Sequence, residues 1–124
     1  MTRHVFVLED SVRYHSELRS AIQRQGFEAH IFEHRIAFYD ALKSVVPYAA
    51  ILDNFAPPYQ DTPVEADIGY QVARQLQRRH PIVKIAIHSS ELTETVMKLE
   101  HVVFFSTKPV GVEELERFLK AESL

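Results

Sequence analysis

The sequence predicts an α/β fold of the doubly wound class, in which helices cover both faces of a parallel sheet. Five short apolar runs typical of buried strands alternate with segments whose apolar residues recur at helical spacing. Most connections are short, and right-handed crossovers would place the helices on both sides of the sheet. The length of 124 residues is that of one compact domain. We therefore expect a single domain over residues 1–124.

The first two strand–helix units follow one another directly. Residues 4–8 form a β-branched and aromatic run, and a helix follows between Ser11, a candidate N-cap, and Gly26. Residues 27–32 alternate apolar and polar side chains, which is typical of a strand. Apolar residues at helical spacing then predict a second helix over residues 36–46, which the proline that follows would end.

The remaining elements repeat this pattern around one longer connection. Residues 48–53 form a third strand, and the polar, proline-bearing residues 54–68 are predicted to be a loop. The later elements are a helix over 69–79, a strand over 82–88, a short helix around 92–99, a strand over 102–105 and a last helix over 112–119.

The composition excludes several classes of function. Fourteen basic and seventeen acidic residues give a formal charge of −3, without the excess of one sign that holds nucleic acid or an anionic membrane. No apolar run approaches the roughly 20 residues of a membrane helix, and the first residues lack a signal-peptide pattern. We therefore expect a cytoplasmic chain that contacts neither nucleic acid nor membrane directly.

Cysteine and glycine counts exclude further chemistry. Without cysteine the chain has no disulfide framework, no thiolate metal site and no cysteine nucleophile. Its three glycines are too few and too far apart for a glycine-rich phosphate loop. Among the histidines, His30 and His34 have a metal-ligand spacing but lack a third ligand in the sequence around them.

Polar side chains lie at or just beyond the ends of four of the five predicted strands. They are Glu9, Asp10, Asp53, Ser89 and Lys108. Because sites in this fold class lie outside the carboxyl ends of the strands, we expect these side chains to converge. Three carboxylates repel one another unless a cation compensates, and an all-oxygen ligand set favours Mg²⁺. The ammonium and the hydroxyl can instead meet an anion that joins the site.

These residues resemble the motifs of the receiver domains of bacterial two-component response regulators. In order, Glu9 and Asp10 are similar to the family's acidic pair, Asp53 to its phosphoacceptor, Ser89 to its strand-four hydroxyl residue, and Lys108 and Pro109 to its lysine–proline pair. Phe105 occupies the position of the family's switch aromatic. The match runs over the whole chain, so the resemblance implies a single receiver domain over residues 1–124.

The resemblance implies a flavodoxin-like sheet with strand order 2-1-3-4-5 and a Mg²⁺-dependent transfer of a phosphoryl group to Asp53. A histidine kinase or a phosphotransfer protein would donate the group. The carboxylates of Glu9, Asp10 and Asp53 and the backbone carbonyl of Phe55 would hold Mg²⁺. A cis bond would join Lys108 to the proline that follows it.

The resemblance also implies what the modified chain does. Lys108 and Ser89 would contact the phosphoryl oxygens, and Ser89 and Phe105 would change conformation and alter contacts with a downstream protein target. The chain would be a signalling phosphoacceptor, which catalyses only its own phosphoryl transfer and dephosphorylation, and it would be a monomer or a weak homodimer. Two departures from the family are a longer loop over residues 54–68 and a shorter stretch over 89–108, which predicts a curtailed fourth helix.

Two alternatives share the same residues. A haloacid-dehalogenase-like phosphatase also uses an aspartyl nucleophile, but it needs a second aspartate two residues later, where this chain has Phe55. A degenerate receiver that acts only as a binding module would not need Asp53 and Lys108, which are both present. Metal-dependent labelling by a small phosphodonor separates these alternatives.

Overall fold

A computed structural model of the chain describes residues 2–105, 108 and 110–121. In this part of the chain five strands alternate with five α-helices. The strands are β1 (Arg3–Leu8), β2 (Phe27–Phe32), β3 (Ala49–Leu52), β4 (Lys84–His88) and β5 (Val102–Phe105). The helices are α1 (His15–Arg24), α2 (Arg35–Leu42), α3 (Ile68–Arg79), α4 (Glu94–Met97) and α5 (Val112–Lys120). None of the described helices is long and apolar enough to cross a membrane.

The five strands form one parallel sheet in the order β2-β1-β3-β4-β5. This confirms the predicted fold class and strand order. Side chains of successive strand residues point to opposite faces, so each strand contributes to two hydrophobic clusters. In β1, Phe6 and Leu8 belong to the cluster under α2, α3 and α4, whereas Val5 and Val7 belong to the cluster under α1 and α5. The central strands are therefore buried on both faces, and polar chemistry is confined to their ends.

Three helices differ in detail from the predictions. A short 3₁₀ turn over Val12–Tyr14 precedes α1. Ser11 is the N-cap residue of this turn, as predicted, but its side chain makes no capping hydrogen bond. Helix α2 ends at Leu42 because the next residues form tighter turns, with the amide of Lys43 donating to the carbonyl of Asp40 at 3.2 Å. Helix α4 has four residues, which confirms the predicted curtailment.

The long segment after β3 has a defined conformation. Ala56 and Glu65 pair as an antiparallel bridge, with N–H···O distances of 3.2 and 3.1 Å. The fully buried Asn54 amide donates to Asp67 Oδ1 at 3.0 Å and to Thr93 Oγ1 at 3.2 Å. These hydrogen bonds connect the two ends of the loop to each other and to the start of α4.

Candidate functional site

Three carboxylates meet at the carboxyl edge of the sheet. Glu9 and Asp10 follow β1, and Asp53 follows β3, the neighbouring strand. One carboxylate oxygen from each side chain lies within 4.8 Å of the other two. Ser89 follows β4, and Lys108 lies beyond β5. We call the five residues Glu9, Asp10, Asp53, Ser89 and Lys108 the strand-end site.

Asp53 lies at the centre of the strand-end site and is almost fully buried. Its Oδ1 atom accepts hydrogen bonds from the backbone N–H of Phe55 at 2.9 Å and from the hydroxyl of Ser89 at 3.2 Å. Its Oδ2 atom accepts a hydrogen bond from the ammonium of Lys108. Hydrogen bonds on both oxygens fix the rotation of the carboxylate, so its orientation is set before any ligand arrives.

The close approach of helix α3 fixes the backbone beneath Asp53. Gly69 lies in the first turn of α3, and a Cβ atom at this position would lie 2.5 Å from the Asp53 carbonyl oxygen and 2.8 Å from the Cα of Asn54. No other residue leaves room for that contact, because every other side chain begins with a Cβ. The glycine therefore lets α3 pack directly against the strand end that carries the central carboxylate.

Glu9 is fully buried beside Asp53. Burial raises the pKa of its carboxyl, because the charged form is desolvated; hydrogen bonds from Lys108 and from the Ser11 amide act in the opposite direction. The Ser11 amide donates to Oε2 at 2.9 Å. Lys108 Nζ lies 2.9 Å from Oε1.

Lys108 bridges the two buried carboxylates. Desolvation lowers the pKa of its ammonium, but the hydrogen bonds and charges of Asp53 and Glu9 outweigh that effect, so the pKa of Lys108 is raised overall. The ammonium also lies 5.0 Å from the centre of the Tyr14 ring. In this arrangement one cation partly neutralises two acidic groups.

His88 is a further site neighbour that the sequence did not single out. It is the last residue of β4, its ring is fully buried, and Nε2 lies 3.6 Å from Glu9 Oε1. Neither ring nitrogen has a hydrogen-bond partner within the described residues. Burial, followed by the charge of Lys108, lowers the pKa of His88 to about 4, so the ring is neutral. In the sequence, His88 could have been recognised as a polar residue at the end of an otherwise apolar strand.

The other predicted site residues are placed as follows. Ser89 is buried and faces Asp53, whereas Ser90 is exposed. Phe105 is buried, and its ring meets the ring of Phe118 in α5 edge-on, with centroids 5.8 Å apart. The predicted cis bond to Pro109 lies outside the described residues.

The donor set of the strand-end site fits Mg²⁺. The converging ligands are all carboxylate oxygens, which a small hard cation prefers, and the half-exposed Asp10 leaves room for the waters that Mg²⁺ retains. A further cation would also offset the repulsion among the three carboxylates, two of which Lys108 contacts. The proposed ligation by the Phe55 carbonyl is not tested by these contacts.

A cleft of about 530 Å³ lies beside Asp10. Its far wall is the long loop, which contributes Tyr59 and Asp61. The loop contacts the start of α2, because the Arg35 amide donates to the Pro57 carbonyl at 3.0 Å. The acidic end of β1 is therefore open to a ligand or partner from the side of the long loop.

No protein-family model and no curated protein matches the sequence. Many solved structures nevertheless share the fold. A CheY-like response regulator receiver domain from Methylobacillus flagellatus has a TM-score of 0.74 and 20% identity, over 98% of each chain. A CheY-like receiver domain protein from Methanospirillum hungatei JF-1 has a TM-score of 0.79 and 13% identity, over 97% of this chain and 92% of that one.

A response regulator from Thermotoga maritima is a third similar structure. It has a TM-score of 0.74 and 15% identity, and the match covers 98% of this chain and 100% of that one. At such identities the likeness is one of fold, and it extends over nearly the whole chain. The protein therefore has the fold of the CheY-like response regulator receiver domains.

Proposed function

We propose that this chain is a phosphoacceptor receiver of two-component signalling, in which Asp53 is phosphorylated in a Mg²⁺-dependent reaction. The observation that carries the proposal is the environment of Asp53. Its buried carboxylate contacts Ser89 and Lys108 and lies within 4.8 Å of two further carboxylates. In this fold, that combination provides a nucleophile, a cation site and two donors for an arriving anion.

The reaction transfers a phosphoryl group from a phosphohistidine of a kinase or phosphotransfer protein. A carboxylate oxygen of Asp53 forms a bond to phosphorus, the phosphorus–nitrogen bond breaks, and the electron pair of that bond returns to the donor imidazole. When bound, Mg²⁺ supplies positive charge that withdraws electron density from the phosphoryl oxygens. Asp10 and Asp53 would hold it directly and Glu9 through water, and the Phe55 carbonyl is the proposed third direct ligand.

The described contacts support the following roles for the neighbouring side chains. The Phe55 amide and the Ser89 hydroxyl orient the nucleophile through Oδ1. Lys108 supplies positive charge at Oδ2. After transfer its ammonium would contact a phosphoryl oxygen. Because neither Lys108 nor Ser89 can contact that oxygen before transfer, their interaction energies differ between the two states, as a switch requires.

The chain's output would pass through protein contacts. The cleft between Asp10 and the long loop is where a phosphohistidine could approach, and the exposed surface near α4 and β5 would meet a downstream protein. The proposed setting is cytoplasmic, with a monomer or weak homodimer as the working unit and turnover limited to the chain's own aspartyl phosphate.

The proposal is tested by labelling with acetyl phosphate and by binding of beryllofluoride, with and without Mg²⁺. We expect the wild type to form an acid-labile phosphoprotein only when the cation is present, and Asp53→Asn to form none. Asp40→Asn is the matched control, since it removes an exposed carboxylate of α2 that does not line the cleft. Labelling of Asp53→Asn at the wild-type rate would exclude Asp53 as the acceptor, and absence of labelling in the wild type would favour a binding module.

A further inference from the structure

A second group of ligand side chains lies on one face of the sheet, between β1 and the edge strand β2. His4 in β1 is the register partner of Glu28 in β2, and His30 lies two residues further along β2. Residues at these positions share one face of the sheet, so their side chains can meet. His4 Nδ1 and His30 Nε2 are 2.9 Å apart, and each lies 3.6 Å from an oxygen of Glu28.

We propose that His4, Glu28 and His30 form a binding site for a divalent transition metal ion of the Zn²⁺ type. This proposal does not rest on the proposed receiver function. Two imidazoles and one carboxylate are a ligand set that Zn²⁺ uses, with a fourth position open to water. By contrast, a small hard ion such as Mg²⁺ prefers oxygen ligands and would not select this group.

The spacing of the ligand atoms fits a tetrahedral ion. With Zn–N and Zn–O distances of about 2.0–2.1 Å, adjacent ligand atoms in a tetrahedron are about 3.4 Å apart. His4 Nδ1 and His30 Nε2 are 2.9 Å apart, and they lie 3.6 Å from Oε2 and from Oε1 of Glu28 respectively, so the distances lie on either side of that value. A metal would replace the hydrogen bond between the two rings, and the donating ring would need only to change its tautomer. Small side-chain movements would therefore complete the geometry.

The surroundings hold the ligands in place without closing the site. The ring of His30 packs edge-on against Phe6, with centroids 5.3 Å apart, and this contact restricts its rotation. The side chains of His4 and His30 are about one-third exposed, 31% and 32%, so an ion can reach them from solvent. Burial lowers the pKa of His30, which keeps the ring in the neutral form that binds metal, and Glu28 opposes that effect.

The location separates this site from the strand-end site. His4 is at the start of β1, whereas Glu9 follows its end five residues later, about 16 Å away along an extended strand. β2 is an edge strand of the sheet. A metal bound by Glu28 and His30 of β2 and by His4 of β1 would link this edge strand to β1. Binding should therefore protect the backbone amides of β2 from exchange.

The test is titration of tag-free protein with Zn²⁺ by calorimetry, with excess Mg²⁺ present to occupy the strand-end carboxylates. We expect one Zn²⁺ per chain, and a weaker affinity by at least about tenfold in each of His4→Gln, Glu28→Gln and His30→Gln, since even loss of an outer-shell partner has an effect of that size. His80→Gln and Asp53→Asn are controls that should bind Zn²⁺ as the wild type does.

A measurement on the wild type alone guards against variants that fail to fold. In histidine side-chain NMR spectra, Zn²⁺ should shift the ring resonances of His4 and His30 and leave those of His80 in place. Co²⁺ should produce the visible absorption of a tetrahedral complex. The proposal is overturned if no Zn²⁺ binds, if His30→Gln binds it with unchanged affinity, or if the ring resonances of His4 and His30 do not move.

Discussion

Ser89 and Lys108 contact Asp53 from beyond two different strands, so both side chains respond to the chemical state of one carboxylate. Ser89 donates to Oδ1 at 3.2 Å, while Lys108 contacts Oδ2 and lies 2.9 Å from Glu9. The hydroxyl is neutral and the ammonium carries a full charge. Their removal should therefore have different consequences for transfer and for the conformational response.

We expect Ser89→Ala to be labelled at Asp53 but to show a smaller conformational response, because the hydroxyl contacts the phosphoryl oxygen only after transfer. Lys108→Ala should lose both labelling and response, since it removes the positive charge from the site of transfer. Chemical-shift changes on beryllofluoride binding, followed along β5 and α5 and including Phe105, measure the response.

The exposed Ser90→Ala variant is the matched control for loss of a hydroxyl at the next position. Equal perturbations of β5 and α5 in Ser89→Ala and in the wild type would show that coupling does not pass through Ser89.

His88 introduces a pH dependence of stability. Its pKa is about 4 in the folded chain, because of burial and the charge of Lys108, against an ordinary value of 6.5. Above pH 6.5 the ring is neutral in the folded and in the unfolded chain, so its lowered pKa does not reduce the free energy of unfolding. As the pH falls from 6.5 towards 4, the unfolded chain binds a proton that the folded chain does not, so folded-state stability is lost.

We expect this group to lower the free energy of unfolding by about 2 kcal/mol between pH 7 and pH 5, at 1.36 kcal/mol per pKa unit. His88→Leu should lose much less over the same interval, because leucine has no titratable group and its protonation cannot differ between the folded and unfolded chains. Urea unfolding of both proteins at the two pH values measures the difference. The raised pKa of Glu9 increases the free energy of unfolding as the pH falls, in the wild type and in His88→Leu alike. Parallel pH profiles for His88→Leu and the wild type would contradict the prediction, and His80→Gln controls for loss of an imidazole elsewhere.

At the scale of elements, the contact between α3 and the end of β3 positions the nucleophile. The backbone of Gly69 packs on the backbone of Asp53, where a Cβ would lie 2.5 Å from the carbonyl oxygen. Backbone atoms cannot move aside as a flexible side chain can. Any residue with a Cβ must therefore shift the helix, the strand end or both.

Gly69→Ala should destabilise the chain by about 1–3 kcal/mol, the usual cost of overpacking a well-packed contact, and should slow labelling of Asp53. Gly111→Ala is the matched control, since its added Cβ would meet only the Glu114 side chain, at 3.4 Å. That control should cost less than about 1 kcal/mol, chiefly through a poorer N-cap for α5, and should leave labelling unchanged. Denaturant unfolding and the rate of labelling measure the two effects. Equal losses in the two variants would show that the close contact is not responsible.

At the scale of the whole molecule, Mg²⁺ should stabilise the fold. The folded chain gathers carboxylates that the unfolded chain separates, so a cation held by them shifts the unfolding equilibrium by mass action. We expect Mg²⁺ to raise the melting temperature of the wild type. Asp10→Asn should reduce this shift more than Glu9→Gln, because Asp10 is proposed to ligate directly and Glu9 through water.

Sodium chloride at matched ionic strength controls for general screening of charge. A Mg²⁺-induced shift that is as large in Asp10→Asn as in the wild type would place the cation elsewhere.

Sequence patterns were sufficient to predict the fold class and the five residues of the strand-end site. Alternating apolar runs and helical periodicity specify a parallel sheet, and such sheets bring the residues after their strands to one edge. Asp53 and Ser89 could therefore be expected to meet, and the structure places them in hydrogen-bond contact. The alternating pattern of residues 27–32 predicts a strand with the bounds that the structure shows.

Tertiary structure decided the features that depend on register and burial. The sequence offered His34 as a partner for His30, but the His34 ring accepts a hydrogen bond from the Ala37 amide and caps α2. His30 instead meets His4, which is 26 residues away in the chain, because the parallel pairing of β1 with β2 sets their alignment. The burial of His88 against Glu9 arises in the same way, from the packing of strands that no local pattern specifies. Sequence periodicity determines which face a residue occupies, whereas the pairing of strands determines its neighbours.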